Sequence, residues 1–189
     1  MKTLLAVVGG MVVAGVAVGL FWTVIAPPIH FAAKISRTGE PVKQYLGSDA
    51  NHLFDAAAMM LGLLVALGII TAVLLWQWRD RRGPAMIAVL TVGGVAAAGA
   101  AWGCGAGIAR IRYGHMDIAT VPADSKIHYF TEAPPVFFGH TVPQVMVTLV
   151  VPAAVAALTY AMIAAASAYD DLGVGPSVPE TVIQPLGRL

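Results

Sequence analysis

The sequence predicts an all-α integral membrane protein, four transmembrane helices joined by two extracytoplasmic loops. Three observations carry this. Hydrophobic residues make up 58% of the 189 and charged residues only 11%, against about 25% charged in a soluble domain. Four apolar runs reach the roughly 20 residues that a helix rising 1.5 Å per residue needs to cross a bilayer core of about 30 Å. Every charge but that of Asp55 falls outside those runs.

The first run covers residues 4–26 and is uncharged, and Pro27-Pro28 stops it. Lys2 ahead of an apolar stretch also suits a cleaved leader. The run is longer than a leader's apolar region, however, and it ends in Ala26-Pro27-Pro28, a poor cleavage context. It reads as a retained anchor. The second run, residues 53–78, carries only Asp55, at its start; Asp49 and Asn51 offer capping side chains ahead of it. The third, residues 85–109, is uncharged and opens at Pro84, a residue suited to a helix start. Between the second and third lies the short polar turn Arg79 to Pro84. The fourth, residues 142–169, opens near Pro143 and is closed by Asp170 and Asp171; Pro152 inside it should kink it. Phe21-Trp22, Trp76 and Trp78 lie near span ends, where amphipathic rings favour the membrane interface. Residues 1–169 thus form one membrane domain, and residues 170–189, rich in glycine and proline, a flexible tail.

Orientation follows from the basic residues. With the N-terminus inside, the inner side holds Lys2, Arg79, Arg81, Arg82 and Arg188, and the outer side Lys34, Arg37, Lys43, Arg110, Arg112 and Lys126. The inner segments are shorter, and the densest cluster, Arg79 to Arg82, occupies the shortest loop, where the positive-inside rule applies best. The expected location is the plasma membrane, multi-pass, with both termini cytoplasmic.

The chemistry-bearing residues are sparse. No ionisable side chain lies near the middle of a span, which weighs against a proton-coupled pump. Thr71, Thr91, Thr148 and Thr159 are expected to bond the carbonyl one turn back on their own helix. Cys104, in an uncharged run, is expected to be an inert structural thiol, and as the sole cysteine it cannot form an intrachain disulfide. The second loop holds His115, Asp117, Asp124, His128, Glu132 and His140, residue types that ligate metals, but their irregular spacing matches no compact site, and a solvated loop accounts for them. Phe137 and Phe138, after the stiff Pro134-Pro135, are expected on the membrane surface or on the first loop. No nucleophile elbow, zinc-protease motif, phosphate-binding loop or dinucleotide fingerprint occurs. A net charge of +1 gives no basic face for nucleic acid.

Small residues are the stronger pattern. Gly15 and Gly19 form one GxxxG, and Gly99, Gly103 and Gly107 a doubled one. Glycines four apart share a helix face and let another backbone approach closely. Packing among the four helices is the ordinary use of such faces; an interface with a partner or with another copy is the sharper one.

Several stretches together support a family resemblance: Phe21-Trp22 with Ala26-Pro27-Pro28, Trp76-Gln77-Trp78 with Arg82-Gly83-Pro84, Arg112-Tyr113-Gly114 with Asp117, the run Glu132 to His140, and Asp170-Asp171-Leu172-Gly173. The chain resembles a family of small actinobacterial, mycobacterium-like, four-helix membrane proteins catalogued as a domain of unknown function. The resemblance implies four membrane helices, with no activity and no catalytic residues to carry over.

The expectation is therefore a non-enzymatic interaction or accessory subunit of the cell envelope, without cofactor or metal, embedded in the lipid bilayer and held to a membrane-protein partner or to itself by small-residue helix faces. The alternative is a minimal transporter or lipid-handling protein acting as an oligomer. A membrane enzyme using the acids and histidines of the outer loop ranks below both.

Overall fold

The computed structural model describes residues 2–35, 41–114 and 127–167. Its four long helices are α1 (Lys2–Ile25), α2 (Asp49–Trp76), α3 (Pro84–Tyr113) and α4 (Val142–Ala165), each long and apolar enough to cross a membrane. Their 24, 28, 30 and 24 residues correspond to lengths of about 36 to 45 Å. They exceed a core of about 30 Å. The expected tail, 170–189, and the closing acids Asp170 and Asp171 lie outside the described residues.

Helices α1 and α3 run one way and α2 and α4 the other. At one end, the turn end, α2 passes through a single 3-10 turn (Arg79–Arg81) into α3, which has proline in its first turn. Arg82 fastens this turn. Its Nε donates to the Trp76 carbonyl at 2.9 Å, and its guanidinium lies 4.2 Å from the centre of the Trp76 ring. The buried Tyr160 of α4 meets the same ring edge-on at 5.2 Å, and its hydroxyl accepts the Gly83 N–H at 3.3 Å. Trp76 is therefore bound into the fold.

The opposite end carries a three-stranded antiparallel sheet, which corrects the all-α expectation. Strands β1 (Ile29–Ile35), β2 (Pro41–Tyr45) and β3 (His128–Glu132) lie in the order β2-β1-β3. Phe31 sits opposite Tyr45 on one side and Phe130 on the other. The physical cause is alternation. Ile29, Phe31 and Ala33 are buried while His30 and Lys34 are exposed, the period of two that a sheet with one covered face requires. The ladder also pairs the backbone polar groups of segments that neither helix nor lipid could satisfy.

Close backbone approach dominates the helix packing. Gly15 and Gly19 of α1 face Ala97 and Ala101 of α3. A Cβ on Gly15 would overlap the Ala97 carbonyl oxygen, and one on Gly19 would stand 2.5 Å from that of Ala101. Gly94 lies against Ala153 of α4, and Gly68 of α2 against the Pro152 carbonyl. Where lipid supplies no hydrophobic drive between helices, such contacts are the main source of helix affinity. Helix α4 runs without interruption through Pro152.

Two positions differ from expectation near the sheet end. Trp22 is fully buried, not interfacial; its Nε1 donates to the Ala56 carbonyl at 2.8 Å, and Gly105 leaves room for its ring. Helix α2 begins at Asp49, and Asp49 turns away to hold His30 instead of capping.

Candidate functional site: a cavity under the sheet and an open glycine face

The loop after β3 folds back on the helices. Phe137 packs on Trp102 of α3, ring centres 5.5 Å apart, and Phe138 on Phe54 of α2 at 5.4 Å. These rings therefore rest on α3 and α2, not on the first loop. Pro134 and Val136, just ahead of them, are buried.

This fold-back encloses a cavity of about 510 Å³ between the sheet, the last turns of α3 and the start of α4. Its apolar walls include Ile29, Leu53, Trp102, Ala106, Phe137 and Val145. Its polar lining includes Lys43, Tyr45, Arg110, Glu132 and His140. Lys43 Nζ donates to Glu132 Oε2 at 2.5 Å and lies 3.9 Å from the centre of the Phe31 ring. Lys43 and Glu132 sit on the two outer strands, so their bond reaches across β1. Arg110 and His140 are exposed.

A second polar cluster ties the first loop to α2. The His30 backbone N–H and its Nδ1 both lie 2.8 Å from Asp49 Oδ2, and His52 Nδ1 lies 3.8 Å from Asp49 Oδ1 and 3.2 Å from the Pro28 carbonyl. Asp49 stands ahead of the apolar stretch that begins at Leu53. The His30 backbone N–H, then its ring, hold the Asp49 carboxyl below the usual carboxylate range, with lesser attraction from the His52 and His30 charges; partial desolvation works the other way. Among the described residues no three His, Cys, Asp or Glu side chains are grouped to hold a metal ion. His115, Asp117 and Asp124 lie outside the described residues.

Along the helices, the Thr71, Thr91 and Thr159 hydroxyls donate to the Leu67, Ile87 and Val155 carbonyls, each four residues back, as expected. Thr148 departs from this. Its fully buried hydroxyl has no hydrogen-bond partner among the described residues. Pro152, four residues on, has no N–H for the Thr148 carbonyl. Cys104 is half-buried.

The five glycines expected at helix contacts divide into two groups. Gly15 and Gly19 lie in the α1–α3 contact. At Gly99, Gly103 and Gly107 a Cβ would meet nothing within 4 Å among the described residues, so their packing does not use that face. The buried stripe of α3 is instead Gly93, Ala97, Ala101, Gly105 and Ala109. The cavity wall formed by Trp102, Ala106 and Arg110 stands between the two stripes on the helix surface.

Comparison with known proteins places these features in a family. An uncharacterized protein of Mycobacterium tuberculosis is 48% identical over 172 residues, 89% of each chain. Another, of Mycobacterium leprae, is 42% identical over 174 residues, 91% of this chain and 88% of its own. No solved structure matches. The mycobacterial relatives agree with the resemblance seen in the sequence, and residues 11–174 match the family model described as "Protein of unknown function (DUF2567)"; the chain belongs to that family.

Proposed function

We propose that this chain is a non-enzymatic membrane subunit that binds a transmembrane helix of another chain through the outward face of α3. One observation carries the reading. Gly99, Gly103 and Gly107 lie four apart on one face, and among the described residues nothing comes within 4 Å of the Cβ position at any of them. A glycine costs a helix interior about 1 kcal/mol relative to alanine in water. Three of them on one outward face form a shallow groove, which suits close contact with a second helix backbone. The small-residue contact between α1 and α3 shows the same geometry in use within the fold.

The test compares Gly103→Leu with Gly62→Leu in the full chain, purified in mild detergent. Gly62 of α2 is also exposed, with no described residue within 4 Å of its Cβ position, but it belongs to no glycine stripe. The expected result is loss of the associated chain with Gly103→Leu only, the melting temperature being kept by both variants. A complex equally intact in both, or a parent that is a bare monomer in native membranes, contradicts the reading. The orientation goes with it: both termini cytoplasmic and the sheet outside, supported by the basic turn Arg79–Arg82.

A further inference from the structure

The cavity beneath the sheet combines a charged rim with an apolar floor, and its long axis can be read from α3. Arg110, Ala106 and Trp102 all line it and lie four residues apart on one helix face. Eight residues of helix separate Arg110 from Trp102, a rise of about 12 Å. The cavity thus runs from the C-terminal end of α3, near Arg110, back along the helix to Trp102. Trp102 and Phe137 pack together at the end away from Arg110.

The charges at the rim do not cancel. Lys43 and Glu132 neutralise each other through their mutual bond. That leaves the Arg110 guanidinium, which has no ion-pair partner among the described residues, with the His140 ring also on the rim. A guanidinium offers a planar fork of donors suited to the oxygens of a phosphate. A volume of about 510 Å³ falls in the range of small-molecule sites, about 300–1,000 Å³, which are mostly apolar with a few placed polar groups.

From this charge complementarity and the apolar length along α3 we infer that the cavity binds one anionic phospholipid, its headgroup phosphate at Arg110 and the upper part of an acyl chain along Ala106 and Trp102. A free phosphate ion would leave the apolar floor unused, and a zwitterionic lipid would place its own cation near Arg110. The inference is independent of the glycine face of α3.

Native mass spectrometry of the full chain in mild detergent tests it, with phosphatidylglycerol and phosphatidylcholine of matched chains added in equal amounts. The parent should retain one phosphatidylglycerol in at least tenfold preference. Arg110→Gln should abolish that preference, and Arg110→Lys should keep most of it. Arg79→Gln, an exposed arginine at the opposite end, should leave it unchanged. Excess inorganic phosphate should not displace the lipid. Equal retention of the two lipids by the parent, an unchanged preference in Arg110→Gln, or equal loss in Arg79→Gln would overturn the inference. Displacement by inorganic phosphate alone would overturn the lipid and leave a simple anion site.

Discussion

The indole N–H of Trp22 donates to the backbone carbonyl of Ala56 at 2.8 Å, joining α1 to α2 with both residues fully buried. In a low-dielectric interior an unpaired indole N–H would cost its full desolvation, so the bond is what lets so large a ring be sealed in. Gly105 and Met60 complete its surroundings.

Trp22→Phe removes the donor and leaves part of the indole volume empty. The expected loss is about 1–3 kcal/mol of stability, read as a lower melting temperature in detergent. Phe21→Leu, at a neighbouring position 54% exposed, should melt within about 0.5 kcal/mol of the parent. Equal behaviour of the two variants would show that the buried bond does not hold α1 to α2.

Gly19→Ala should separate α1 from α3, because its Cβ would stand 2.5 Å from a backbone oxygen that no side-chain rotation can move. Gly103→Ala meets no such obstacle and should be neutral or slightly stabilising through better helix propensity. Thermal melts of the two single variants decide it. A Gly19→Ala protein as stable as Gly103→Ala would mean that the α1–α3 contact is looser than described.

Both glycine patterns were legible in the sequence, but which face of α3 packs inside was not. Almost every residue from Gly93 to Gly107 is small, so two different four-residue stripes could serve, and composition cannot choose between them. Contact with Met11, Gly15 and Gly19 selects Gly93, Ala97 and Ala101. The spans were legible because charge-free runs of that length have few other uses. The sheet was missed because its alternation is short: β1 has seven residues and the others five each. In addition, the β1–β3 pairing joins residues about a hundred positions apart, such as Ile29 and Glu132. The cavity depends on that pairing and on the fold-back of Phe137 and Phe138, so no local pattern announced it.

Acid should loosen the sheet end through Asp49. Its carboxyl is held below the ordinary value of 3.8 chiefly by the His30 N–H. A group whose folded value is depressed contributes stability that is present above its unfolded value and is lost as pH falls through the folded one. Stability of the parent should therefore fall as pH drops below about 4, and Asp49→Asn should lack this part of the slope. Melting temperature against pH for the two proteins checks it; parallel curves would remove Asp49 from the account.

Sidedness can be read with cysteines in a Cys104→Ala background. Thr131, on the exposed face of β3, and Asp80, in the turn between α2 and α3, are both exposed. A membrane-impermeant thiol reagent applied to intact cells should label Thr131→Cys and not Asp80→Cys. The reverse pattern would invert the proposed orientation.

The central claim, that the outward glycine face of α3 receives a helix of another chain, is tested most directly by a photo-crosslinking residue placed at Gly103 and, as control, at Gly62, and irradiated in native membranes. The account predicts an adduct of one defined mass at position 103, a second copy or one other membrane protein, and lipid adducts alone at position 62. Lipid adducts alone at both positions would contradict it.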